Sequence, residues 1–215
     1  MQTPPHAVHA SSLLAAACHT LEAALQSLPA RMHASWQAPL AGRWPVLDVL
    51  TNEAARGRLA ARLLVDECGG MPPADAVVLP EARVATADVA TLLRNLCVLA
   101  LACRPGALRC CVEREAKVAL MQAVGNAGEA LWSLSGQGRP VSSESAGWLP
   151  LEWACLGYVD WLLLPAGCHR LLRRLLAVSL PCGLLGMARR RGAHRDFAPA
   201  AALRMLRDAG GAWPC

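Results

Sequence analysis

A chain of 215 residues that is 54% hydrophobic and only 17% charged has ample apolar surface to offset the entropy lost on ordering, which excludes a disordered protein and fits one domain. β-formers are scarce: there is no Ile, one Phe (Phe197), one Tyr (Tyr158) and five Thr, so a sheet would have little to pack with and the expected fold is all-α. The net charge of +5 is unevenly spread, because residues 165–215 hold nine arginines against Asp196 and Asp208, a basic pole that leaves −2 for the rest.

Taken in chain order, Ser11 and Ser12 stand where they can cap a helix whose apolar residues are Leu14, Cys18, Leu21, Leu25 and Leu28, and Pro29 closes it. Residues 29–45 read as an irregular connection carrying Trp36 and Trp44. Helical spacing resumes through Leu59, Leu63 and Leu64, with Arg56, Arg58 and Arg62 turned outward, until Gly69 and Gly70 supply a stop. Thr86 is placed to cap a central helix that becomes apolar all round near residues 96–103 and is therefore buried.

After Pro105 a further helix is expected, with Leu108, Val112, Ala119 and Leu120 inward and Arg109, Glu113 and Lys117 as an outward ladder of alternating charge. Residues 136–147 read as a flexible loop between a larger N-terminal helical part (1–135) and a smaller C-terminal one (148–215) of the same compact domain. The C-terminal part offers helices near 150–163, from Pro165 to Pro181, and around 197–208, so the expected architecture is an irregular helical bundle.

The chemistry looked for in such a chain is mostly missing. The neighbouring pairs Cys110 and Cys111, Cys18 and His19, and Cys168 and His169 lack metal-ligand spacing, and the ten cysteines read as reduced thiols, with Cys18, Cys97, Cys103 and Cys111 on apolar faces. Gly136 and Gly138 are followed by Arg139 and Pro140, not by a phosphate-loop Lys, and the carboxylate pairs Glu113 and Glu115 or Asp66 and Glu67 read as solvated faces. Neither a cofactor nor a metal nor a catalytic residue is expected. The late first basic residue, Arg31, and the lack of an apolar run of about 20 residues point to a cytoplasmic protein.

Two features suit binding. Wound at about 100° per residue, Arg170, Arg173 and Arg174 share one arc of a helix, while Cys168, Leu171, Leu172, Leu175, Leu176 and Ser179 lie opposite. Trp36 and Trp148 sit in or beside irregular segments, where each either docks on the chain's own core or anchors a partner. Arg189, Arg190, Arg191 and Arg195 extend the basic pole, but its helices lack the Asn and Gln of a base-reading surface, so nucleic acid is not expected as a partner.

Three stretches carry a resemblance. Met32, His33, Ala34, Ser35 and Trp36 form an aromatic segment; the apolar run Leu92–Ala102 leads into Pro105, Leu108, Arg109, Arg114, Glu115 and Val118; and Gly157, Leu162, Pro165, Leu172, Arg174 and Leu175 lead to Leu180 and Pro181. In this order they resemble the SctK/YscK-like accessory proteins of bacterial type III secretion systems, although Ala34 and Gln37 stand where that family more often has Pro and an apolar residue. The resemblance implies a non-enzymatic adaptor at the cytoplasmic face of the inner membrane. Its partners would be the cytoplasmic domain of the inner-membrane ring protein and the pod protein of the sorting platform. The competing expectation from the residues is a helical enzyme or ligand-binding regulator whose site is assembled from scattered positions.

Overall fold

The computed structural model describes residues 5–111, 113–141, 147–191 and 194–213, and every regular element among them is helical, with no strand. The first half contains α1 (Pro5–Gln26), α2 (Leu28–Arg31), α3 (Gln37–Arg43), α4 (Glu53–Glu67), α5 (Ala74–Val77), α6 (Ala82–Thr86) and α7 (Val89–Ala102). There follow α8 (Ala107–Cys110), α9 (Arg114–Val124), α10 (Gly128–Leu134), α11 (Pro150–Trp161), α12 (Arg170–Val178), α13 (Cys182–Arg191) and α14 (Pro199–Asp208).

The N-terminal helix is longer than its sequence signals imply. Ser11 and Ser12 lie inside α1, which is already running from Pro5, and from Ser11 onward its buried residues are Leu21, Ala24 and Leu25. Cys18 is consequently exposed, not set on a buried face. The connection 29–45 is largely helical: Pro29 sits in the first turn of α2, a 3₁₀ turn spans Ala34–Trp36, and α3 follows directly. Arg31 is buried there and donates to the carbonyls of Ala85 at 2.7 Å and Ala87 at 2.5 Å, so it finishes the C-terminal end of α6. Burial lowers its pKa from the usual arginine value, with Asp88 opposing.

At the end of α4 the expected glycine stop is a Schellman motif: Gly69 and Gly70 take φ of 86° and 107°, and the Gly70 N–H donates to Val65 O at 2.9 Å. The cap of α7 is Asp88, not Thr86, since its Oδ1 accepts from the Thr91 N–H at 2.9 Å and Thr86 ends α6. Hydrogen bonding from Thr91, from its side chain first and its N–H second, holds the Asp88 carboxyl below its usual pKa.

The predicted ladder of Arg109, Glu113 and Lys117 does not form, because α8 stops at Cys110 and Glu113 is extended before α9 begins. Ala116, Leu120 and Val124 form the inner face of α9, and the Lys117 ammonium lies 4.7 Å over the Trp132 ring. Val112 lies outside the described residues.

α7 is the centre of the molecule, with nine of its 14 residues buried. α11 lies along it so closely that a Cβ on Gly157 would stand 1.8 Å from Leu96 O, and α12 covers α6 and the end of α4. Leu92, Leu96, Leu99, Leu108 and Leu172 are all buried, as their spacing predicts. One hydrophobic core therefore runs through both parts of the chain. The described half of the 136–147 loop is docked: Gly138 lies against Gly106, and the Arg139 N–H donates to Asp196 at 3.1 Å. Residues 142–146 of that loop lie outside the described residues.

Candidate functional site

A leucine pair every three to four residues makes α12 sharply two-sided. Leu171, Leu172, Leu175 and Leu176 are buried against α6 and α4, while Arg170 is exposed and Arg173 and Arg174 are half-buried. Cys168, expected on the apolar side, precedes the helix in a 3₁₀ turn and is exposed.

The arginine face of α12 forms one wall of a groove of about 460 Å³. Its other walls are the 3₁₀ turn with Trp36 and the end of α3 with Arg43, the end of α4 with Glu67 and Cys68, the middle of α11 with Tyr158, and α13 with Arg189. The Trp36 wall is fastened to the α12–α13 junction by local chemistry. His33 N–H donates to Val178 O at 2.8 Å, the Cys182 N–H donates to Ser35 Oγ at 3.0 Å, and Trp36 Nε1–H donates to Leu180 O at 2.7 Å. The indole thus stands upright and half-buried, with the Arg174 guanidinium 5.4 Å from its ring centroid.

Five guanidinium groups line this groove (Arg43, Arg170, Arg173, Arg174, Arg189) against one carboxylate, Glu67. Arg43 pairs with Glu67 Oε1, and Arg174 reaches the same oxygen at 3.9 Å. Glu67 is therefore not part of a fully solvated acidic face: its side chain is 22% exposed. Tyr158 is buried, donates its hydroxyl proton to Arg173 O at 3.4 Å and accepts from Arg189 Nη2 at 3.3 Å. Arg170 and Arg173 pair with no carboxylate among the described residues. The Cys68 thiol is held above its ordinary pKa by burial first and by Glu67 second, despite the pull of the three arginines on α12, so it makes a poor nucleophile.

Four of the five residues singled out in the sequence, Trp36, Arg170, Arg173 and Arg174, thus line one groove. Trp148 does not join them. It is buried, packs edge-on to Trp153 with ring centroids 5.3 Å apart, and is a core residue, not a surface anchor. Sequence reasoning missed Arg43 and Tyr158, took Glu67 for part of a solvated face and reached Arg189 only as part of the basic pole; the four come from elements spread over almost 150 residues of chain. Charge count alone pointed at Arg189.

One further arginine of the basic pole, Arg195, is put to another use. Arg195 donates from Nε to Asp160 Oδ1, and Arg104 grips the same buried carboxylate with bonds of 2.6 and 3.1 Å. The side chains of Arg190 and Arg191 lie outside those described. The thiols of Cys97 and Cys155 are pushed up to about 12 by burial. Among the described residues no cluster of three His, Cys, Asp or Glu is arranged to hold a metal ion. No single described helix is long and apolar enough to cross a membrane; α12 and the described part of α13 pass that test only as a pair bent by 118°.

These features define an all-α protein with an arginine-lined groove. No family model matches the chain, and neither a curated protein nor a solved structure matches it.

Proposed function

We propose that this chain is a non-enzymatic adaptor of a bacterial type III secretion system. It works at the cytoplasmic face of the inner membrane and links the cytoplasmic domain of the ring protein to the pod protein of the sorting platform. The reading rests on the ordered resemblance to SctK/YscK-like proteins. The observation that supports it in the fold is the arginine face of α12, where Arg170 and Arg173 pair with no carboxylate among the described residues and Arg174 lies over the Trp36 ring. Guanidinium groups at an interface take carboxylates bidentately, and a fixed indole next to them adds apolar contact, so the face suits an acidic protein partner.

Co-purification tests the reading. Arg170→Glu with Arg173→Glu, folded as judged by circular dichroism, is expected to lose the ring or pod protein, more so at low salt. Full retention of both partners by the folded double variant would overturn it. A second reading, a helical ligand-binding regulator, is favoured by one observation: the arginine face closes into a concave groove with converging polar groups.

A further inference from the structure

Glu67 Oε1 marks a place where an anionic oxygen is already held between two guanidinium groups, those of Arg43 and Arg174. Its partner oxygen, Oε2, is buried without a hydrogen bond. One carboxylate among five arginines leaves the groove with a surplus of four positive charges in about 460 Å³, a volume within the usual range for small-molecule sites. Two of the groups that would meet a ligand, Arg174 and Arg189, are held in place beforehand. Arg174 lies on the Trp36 ring, whose Nε1–H is tied to Leu180 O at 2.7 Å, and Arg189 lies 5.7 Å from the Tyr158 ring centroid while donating to its hydroxyl. Such pre-orientation lowers the entropy cost of binding.

We propose that this groove binds a phosphate-bearing anion, with phosphoryl oxygens displacing Glu67 from between Arg43 and Arg174. The charge balance selects phosphate over carboxylate. A second carboxylate would repeat what Glu67 supplies, whereas a phosphate monoester brings about −1.5 to −2 charges and three strong acceptors. Planar guanidinium forks on several walls match those acceptors, since each can engage two oxygens of one group. Glu67 then acts as an internal stand-in that keeps the arginines together when the groove is empty of ligand. The inference shares this groove, and Arg174 with it, with the adaptor reading, but its test turns on Arg43, Glu67 and Arg189, which lie off α12.

Isothermal titration of the purified chain with inorganic pyrophosphate at low salt tests it. The expected result is one saturable site, weakened about tenfold by Arg43→Gln with Arg189→Gln, and tightened about threefold by Glu67→Gln, which removes the competing carboxylate. Absence of saturable binding overturns the proposal, as does binding indifferent to the arginine pair or weakened by Glu67→Gln. Circular dichroism of each variant separates a lost site from a lost fold. Vesicles of phosphatidylcholine with and without phosphatidic acid then compete against pyrophosphate: displacement by the acidic vesicles alone assigns a lipid headgroup as the source of the phosphate, and no displacement assigns a soluble phosphate ester. No partner protein is present in the titration, so its outcome is independent of the co-purification test.

Discussion

Asp160 and Glu67 are each a carboxylate engaged by two arginines, and the two clusters behave as opposites. Around Asp160 the carboxylate and one arginine are sealed, at 0% exposed for Asp160 and 2% for Arg104, and only Arg195, at 29%, reaches in from the surface. Around Glu67 the same chemistry is more open, with Arg43 at 52% and Arg174 at 28%, and three more arginines stand near with no carboxylate partner among the described residues. In the interior a lost partner leaves a charge with no water to turn to, so the pairing is obligatory. In the groove water can replace either partner, so the pairing is weak and open to exchange with a ligand. Burial, not the identity of the residues, decides which cluster is structural and which is available.

The sharpest way to break this comparison is Asp160→Asn, which strands Arg104 and half-buried Arg195. A loss of about 3–5 kcal/mol is expected in urea unfolding, and a loss below about 1 kcal/mol would show that the interior cluster is no more obligatory than the groove. Next comes Gly157→Ala. α11 sends Tyr158 to the groove and Asp160 to the interior, and a Cβ at 157 would meet Leu96 O at 1.8 Å, so both regions shift together. A cost of about 1–3 kcal/mol in thermal unfolding is expected from the forced separation of α7 and α11.

Glu67→Gln should change stability by less than about 1 kcal/mol, because its ion pairs are solvent-screened. A cost near that of Asp160→Asn in the same urea experiment would erase the distinction between the clusters. The smallest effect is expected from Arg170→Glu with Arg173→Glu, within about 0.5 kcal/mol of the unsubstituted chain, since neither arginine pairs with a carboxylate among the described residues. A larger loss of denaturation midpoint would mean that this face supports the fold.

Local chemistry made the helices readable one by one. The absence of Ile, the all-round apolar run of α7, the leucine pairs of α12 and the paired glycines after α4 each act within a few residues of themselves. Caps were less readable, because several residues can serve and only one does: Asp88 rather than Thr86 for α7, and neither Ser11 nor Ser12 for α1. The ladder of Arg109, Glu113 and Lys117 failed for a related reason. Charges four apart say nothing about a break between them, and the chain turns extended at Cys111 and Glu113.

Trp36 and Trp148 show where such reading stops. Both stood beside irregular segments with the same two possible fates, and the fold sent one to the wall of a groove and the other into the core beside Trp153. Nothing within a helical turn of either residue distinguishes them. The chain's own pattern of hydrophobicity and helix signals determines that it folds as helices, which helix is innermost, and that α12 has one arginine face. Which arginines are spent inside and which are left to bind is decided only in the tertiary structure, where Arg104 meets a carboxylate 56 residues away and Arg43 meets one across the end of α4. Desolvation sets the strength of those pairs, and desolvation is a property of the packed whole.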